Sequence, residues 1–307
     1  MRWNKLGIVW KPDGQMDWAK THAMGPTPFR LNDEVIRLFV TCLDEQGRGR
    51  PGYVDVSASD PTRVLGYSKQ AVLDIGTPGT FDDNGLMVTS VIEPEPGTLY
   101  MYYAGFEICT KIRYRILTGL AISTDGGETF KRYSKTPILD RSDGELYIRG
   151  GPFALYEKGV FRLWYVAGSE WTELNGKAMP VYDLRYQTSP DGVTWNSEGT
   201  LSMDISQDDE HGFGRPWVVS RADGRHQMFY SVRRRSYAAY RLGYAESDDG
   251  VNWTRMDDQM GLDVSETGFD SEAIMYSAVI AVGDRTFCFY NGNSFGLDGI
   301  AVAELAA

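Results

Sequence analysis

Apolar and polar positions alternate with a period of two in short runs along the chain, and the runs recur. The clearest are "VIRLFVTC", "LYMYYAGF" (Leu99–Phe106), "FRLWYVAG" (Phe161–Gly168), "HQMFYSVR" (His226–Arg233) and "FCFYNGN". All are rich in aromatic and β-branched residues and are bounded by Gly, Asp or Pro. That pattern predicts strands. No long segment carries the 3.6-residue period of an amphipathic helix.

A second pattern is interleaved with the first. "AISTDGGETFKR" (Ala121–Arg132) returns as "YQTSPDGVTWN" from Tyr186 and as "YAESDDGVNWTR" from Tyr244. Each copy is Ser-x-Asp-Gly followed by an aromatic, namely Phe130, Trp195 or Trp253. An Asp side chain bonds turn amides, Gly takes a positive φ, and the aromatic packs beneath, so each copy predicts a hairpin turn. Asp125, Asp191 and Asp249 are therefore expected to be scaffold. The repeat unit of roughly 45–65 residues can be written as four strands. In the third unit these are "GPFALYE", "FRLWYVAG", "VYDLRYQTS" and a strand after "PDGVTWN".

Five such units account for nearly the whole chain. The prediction is an all-β fold, a five-bladed β-propeller forming a single domain over residues 1–307. "KLGIVW" is left over at the start, and the fifth unit stops at "GIAVAELAA" without its last strand. Pairing these two closes the ring and leaves no free sheet edge. Two stacked sandwiches are the alternative.

Composition narrows the partners. A formal charge of -11 argues against nucleic acid or an anionic membrane, and the one basic run, Arg233-Arg234-Arg235, is short. No apolar run is long enough to span a bilayer. "MRWNKLGIVWKPDG" lacks the pattern of a signal peptide, so a cytoplasmic location is expected. Cys42, Cys109 and Cys288 are dispersed and suggest neither a disulfide frame nor a zinc site. No phosphate loop, dinucleotide fingerprint or HExxH is present, so no cofactor and no metal ion are expected.

In a propeller the innermost strands line a central funnel, and ligands bind where their starting ends converge. The segments leading into those strands are "THAMGPTPF" (Thr21–Phe29), "FDDNGLMVTSVI" (Phe81–Ile92), "ELYIRGGPFALY" (Glu145–Tyr156), "DDEHGFGRPWVV" (Asp208–Val219) and "FDSEAIMYSAVI" (Phe269–Ile280). They supply His22, Asp82, Asp83, Glu145, Arg149, Glu210, Arg215, Asp270 and Glu272. Together with the aromatic second strands, these segments resemble the five-bladed β-propeller glycosidases, a superfamily of arabinofuranosidases and xylosidases, invertases and mannoside phosphorylases. The resemblance covers essentially the full chain. "FDDNG", "RPWVV", "GFDSE" and "YNGN" look more closely like an uncharacterised bacterial branch associated with polysaccharide genes.

The resemblance implies a carbohydrate partner in the funnel and carboxylates from different blades acting as acid, base or nucleophile. Glycosidic cleavage needs one protonated acid at the leaving oxygen and one ionised group opposite. Asp83, Glu210 and Glu272 are the candidate catalytic set, with Glu145 in reserve. Arg215 and Arg149 suit an anionic sugar or hold a carboxylate ionised, and Asp270 shares its segment with Glu272. Tyr103, Trp171, Tyr230 and Tyr290 are candidate sugar platforms, and Asn291 and Asn293 candidate hydroxyl partners. Each has a plainer reading as core, turn or strand brace. One departure stands out: the glycosidases place an essential Asp in the first blade, where this chain has His22. That leaves hydrolysis of a small glycoside or glycan precursor beside two alternatives. One is a non-catalytic carbohydrate-binding propeller; the other is a glycosyl-transferring or sialidase-type enzyme on an anionic sugar.

Overall fold

The computed structural model describes residues 1–205, 209–237 and 239–306. It is all-β: among the described residues the helical segments are a 3-10 turn at Asp257–Gln259 and a four-residue turn at Asn293–Gly296. Among the described residues no helix is long and apolar enough to cross a membrane.

The chain opens with β1 (Trp3–Trp10) and then runs through antiparallel groups of strands. The first holds β2 (Thr21–Arg30), β3 (Val35–Leu43), β4 (Gly49–Ser57) and β5 (Val64–Tyr67). The second holds β6 (Leu86–Glu95), β7 (Thr98–Ile108), β8 (Tyr114–Ser123) and β9 (Lys131–Arg132). The third holds β10 (Ile148–Glu157), β11 (Val160–Leu174), β12 (Lys177–Ser189) and β13 (Thr200–Met203). The fourth holds β14 (Glu210–Ser220), β15 (His226–Arg234), β16 (Tyr240–Ser247) and β17 (Thr254–Arg255). The last comprises β18 (Met275–Val282), β19 (Arg285–Asn291) and β20 (Ile300–Leu305), and its fourth strand is β1, with Trp3 opposite Leu305 and Trp10 opposite Ile300. The left-over first strand thus pairs with the incomplete last group, as its sequence predicts.

Short parallel bridges, Ile116 to Ile148 and Tyr182 to Gly212, join the second, third and fourth groups into one twelve-stranded sheet. The first strand of each group packs against the first strands of its neighbours: β2 on β6, β6 on β10, β10 on β14, β14 on β18 and β18 on β2. Second strands carry the core. Tyr102, Tyr103, Trp164, Tyr165, Tyr230 and Tyr290 are all fully buried and all lie on them. The structure corrects the expected alternation here: Met101–Gly105 and Leu163–Ala167 are buried without a break, as in a strand covered on both faces.

The Ser-x-Asp-Gly turns are local latches. In the second copy, Ser189 Oγ donates to Asp191 Oδ1, which accepts from the amides of Val193 and Thr194 at 2.9 and 2.8 Å. Asp249 accepts from Val251 and Asn252 in the same way. Those amide bonds hold Asp191 and Asp249 well below the usual carboxylate range. Each turn also docks on the preceding group. Arg37 donates to the Gly126 carbonyl at 3.0 Å, Tyr102 to that of Gly192 at 2.9 Å, and Trp164 to that of Gly250 at 2.7 Å. The repeat recurs because each group must be fastened to its neighbour.

Candidate active site

All five first strands break register at the same level: between Met24 and Thr27, Val88 and Ser90, Gly150 and Phe153, Gly214 and Trp217, and Met275 and Ala278. A bulge bends its strand and re-aims a side chain. Two of these bulges use glycine in the left-handed region, Gly25 (φ +60°) and Gly151 (φ +58°). Two others hold Arg215 (φ +32°) and Tyr276 (φ +58°) there, where a side chain is strained.

The bulges surround a cavity of about 330 Å³, walled by Met24, Thr89, Gly151, Arg215 and Tyr276 and, farther out, by Tyr114, Tyr182, Arg233, Tyr240 and Phe295. Tyr114, Arg233, Tyr240 and Phe295 also line an outer vestibule of about 620 Å³, bordered by Arg113, Lys177, His211 and Glu272. The Tyr182 and Tyr240 hydroxyls are 2.9 Å apart, and the Arg233 guanidinium stands 4.5 Å from the Tyr240 ring centroid. Burial pushes the phenols of Tyr114, Tyr182 and Tyr276 up, so they remain neutral donors. Burial alone would lower Arg233, but the surrounding phenol oxygens raise it and keep it charged. Arg215 is brought down by burial to about 9. Glu272 is the one carboxylate, among the described residues, that borders either space.

Most of the predicted carboxylates are placed elsewhere. The structure sets them in or beside a repeated latch in which a second-strand tyrosine donates to an acid that also meets a cation. Tyr103 donates to Asp82 at 3.1 Å, and Arg132 donates to the same oxygen at 2.7 Å. Tyr165 donates to Glu145 at 2.8 Å, with Arg149 and Arg185 in ion pairs. Tyr230 donates to Asp257 at 2.5 Å, and Arg255 joins that acid to Glu210. Tyr290 donates to Asp270 at 3.2 Å, and Lys5 reaches Asp270 at 2.6 Å. Three of the cations, Arg132, Arg255 and Lys5, come from the fourth strands of their groups. Glu145, Arg149, Glu210, Asp270, Tyr230 and Tyr290 therefore do not line either space. Their segments do lead into the first strands, but the buried acids face cations rather than the cavity, because an unpaired buried carboxylate is costly.

The remaining candidates divide. Asp83 accepts from the Gly79 amide at 2.8 Å in the turn before β6 and is next to the wall residue Asn84. His22 bonds Thr21 Oγ1 at 2.9 Å, outside both linings, and burial lowers its pKa. Trp171 packs edge-on against Tyr114, with ring centroids 5.3 Å apart. Asn291 is a fully buried brace, accepting from the Gly25 amide and donating to the Ala23 and Gly299 carbonyls. Asn293 accepts from the Glu272 and Ala273 amides at 2.8 and 3.0 Å, and so fixes the backbone that carries Glu272. Of the leading segment "DDEHGFGRPWVV", Asp208 lies outside the described residues. Among the described residues no cluster of three His, Cys, Asp or Glu is suited to a metal ion.

Arg233 is one of four arginines, with Arg149, Arg185 and Arg215, that the sequence offers to an anionic sugar, but sequence reasoning missed the ring of Tyr114, Tyr182, Tyr240 and Tyr276. A signal was present: Tyr182 and Tyr240 each stand seven residues before the Ser of a Ser-x-Asp-Gly turn.

This architecture is shared with solved glycoside hydrolases of propeller-type families. The chain superposes on one solved glycoside hydrolase with a TM-score of 0.75 at 18% identity, covering 99% of this chain and 92% of that one. A thermostable family-43 glycoside hydrolase gives 0.66 at 18% identity, covering 92% and 88%. A structure from the GH130 family of mannoside phosphorylases, described as containing hydrolases of β-1,2 mannosidic linkages, gives 0.71 at 15%, covering 98% and 93%. At these identities the likeness is one of fold. No protein-family profile matches the chain. In sequence it is 30% identical over 305 residues to the uncharacterised protein Rv1502 of Mycobacterium tuberculosis strain H37Rv, covering 99% of both chains. Protein MT1551 of strain CDC 1551 matches to the same extent. The chain belongs to the family of these mycobacterial proteins.

Proposed function

We propose that this protein is a glycoside hydrolase-like enzyme that takes a small glycoside or glycan precursor into the central cavity, with Glu272 as its proton-transfer group. The carrying observation is the tyrosine-walled cavity among the five first strands, with Glu272 bordering its outer vestibule on a backbone that Asn293 fixes. Phenol rings offer sugars both an apolar face and a hydroxyl. The mutual packing of the first strands and the pairing of β1 with β20 support reading the groups as five blades of a closed ring. Asp83, beside Asn84, is the second carboxylate of this reading. Glu210 drops out of this reading because its buried side chain borders neither space and is paired with Arg255.

One observation favours a second reading, carbohydrate binding without turnover: Glu272 is the single bordering acid among the described residues, whereas cleavage uses two. A screen of aryl glycosides and nucleotide sugars, with Glu272→Gln alongside, separates the two. Turnover lost in the variant supports the enzyme. Turnover unchanged in the variant removes Glu272 from the chemistry, and binding without turnover in either protein selects the second reading.

A further inference from the structure

Elsewhere in this fold the buried Arg37 and Arg149 are paired with Asp55 and Glu145, and the half-buried Arg255 with Glu210. The two in the central cavity are not. Arg215 is 2% exposed. Its Nη1 donates to the Tyr276 carbonyl at 3.1 Å, and its Nη2 to Thr27 Oγ1 at 2.8 Å and the Thr89 carbonyl at 3.4 Å. Its Nε is buried and has no hydrogen-bond partner. Arg233, half-buried where the cavity opens to the vestibule, stands among Tyr114, Tyr182, Tyr240 and Tyr276. Among the described residues no carboxylate reaches either guanidinium, and neither cavity-wall arginine is near enough to Glu272 to form an ion pair.

A buried cation without a counter-ion is unfavourable and is kept only where something offsets it. Arg215 is also held in a strained left-handed conformation at a level where two other groups use glycine. Strain and uncompensated charge at one point mark a place built to receive something. Planar guanidinium forks suit oxyanions, which accept two parallel hydrogen bonds.

We propose that the cavity receives the anionic group of its sugar, a carboxylate or a phosphate, against Arg215 and Arg233, so that the ligand is an acidic sugar or a sugar phosphate. This rests on the reading of the cavity as the carbohydrate site. The phenols then bond the remaining ring oxygens while the oxyanion supplies the missing charge. Beyond the cavity, Arg113 and Lys177 at the vestibule give an otherwise acidic protein a cationic approach to its centre.

The test is calorimetric titration of the full chain with glucuronate, galacturonate, glucose 1-phosphate and mannose 1-phosphate, each beside its neutral methyl glycoside, and with inorganic phosphate. An acidic member should bind about ten- to a hundredfold more tightly than its neutral partner. Arg233→Gln should abolish that preference, whereas Arg233→Lys should keep part of it. Uronates and sugar phosphates then identify the oxyanion. If Arg233→Gln fails to fold, the decline of acidic-ligand affinity with added salt in the unaltered chain decides the same question. Neutral glycosides binding as tightly as acidic ones would overturn the proposal and leave the carbohydrate reading intact. Inorganic phosphate bound through Arg233 with no sugar bound would keep the anion site and refute the carbohydrate reading. No binding of any of these ligands would overturn the anion site.

Discussion

Arg255 donates to both oxygens of Glu210, from Nη1 at 2.8 Å and from Nη2 at 2.7 Å, and the Glu210 side chain is wholly buried. Glu210 borders neither the cavity nor the vestibule, and its charge is met by Arg255 instead. A buried acid that meets a cation recurs at Asp82, Glu145 and Asp270, so the acids that lead into the first strands fasten those segments to the rest of their groups.

Glu210→Gln therefore weakens the fold. Removing one partner of a buried pair typically costs about 3–5 kcal/mol, and urea unfolding should show a loss of that order. A variant with unchanged stability but lost turnover would return Glu210 to the catalytic set.

Tyr290 is fully buried, and its hydroxyl donates to Asp270. Tyr290→Phe should cost about 1–2 kcal/mol from the lost charge-assisted bond while leaving sugar affinity unchanged. A fall in affinity at constant stability would make it a sugar platform after all.

Gly243 faces Tyr230 across the β15–β16 pair, and a Cβ at that position would meet the phenol ring. Gly243→Ala should destabilise by about 1–3 kcal/mol through overpacking. Gly119 stands in the same relation to Tyr103, and Gly119→Ala should behave alike. Thermal unfolding of both variants checks the pair.

The turn acids bear on acid stability. Burial opposes the shift of Asp125, but bonds from Thr129 and Ser123 bring it down to about 2. A carboxyl group whose folded pKa lies below its unfolded value stabilises the fold above the unfolded pKa. That contribution is lost as pH falls through the folded value. Asp125→Asn should thus be less stable than the parent at pH 7 and converge with it near pH 2. A pH-independent difference between the two would contradict this assignment.

Much of the scaffold is legible in the sequence. Aromatic second strands and Ser-x-Asp-Gly turns announce themselves because burial and positive φ restrict which residues fit. The site is harder to read. Sequence places "DDEHG" and "FDSE" before the right strands, but spacing does not say whether an acid points to the axis or sideways to an arginine on a fourth strand. Arg215 is recognisable because Arg215-Pro216 occupies the position of Gly25-Pro26 and Gly151-Pro152. Arg233, Tyr182 and Tyr240 reach the cavity only because adjacent groups converge there, a long-range relation no local pattern encodes.

The central claim is that sugar binds on the axis. A crystal structure of the chain with a sugar selected by the binding screen tests it most directly. The sugar should lie among Tyr114, Tyr182, Tyr240 and Phe295, with Glu272 at the open end. A sugar seated on the outer turns beside Asp125, Asp191 or Asp249, with the cavity unoccupied, would contradict it.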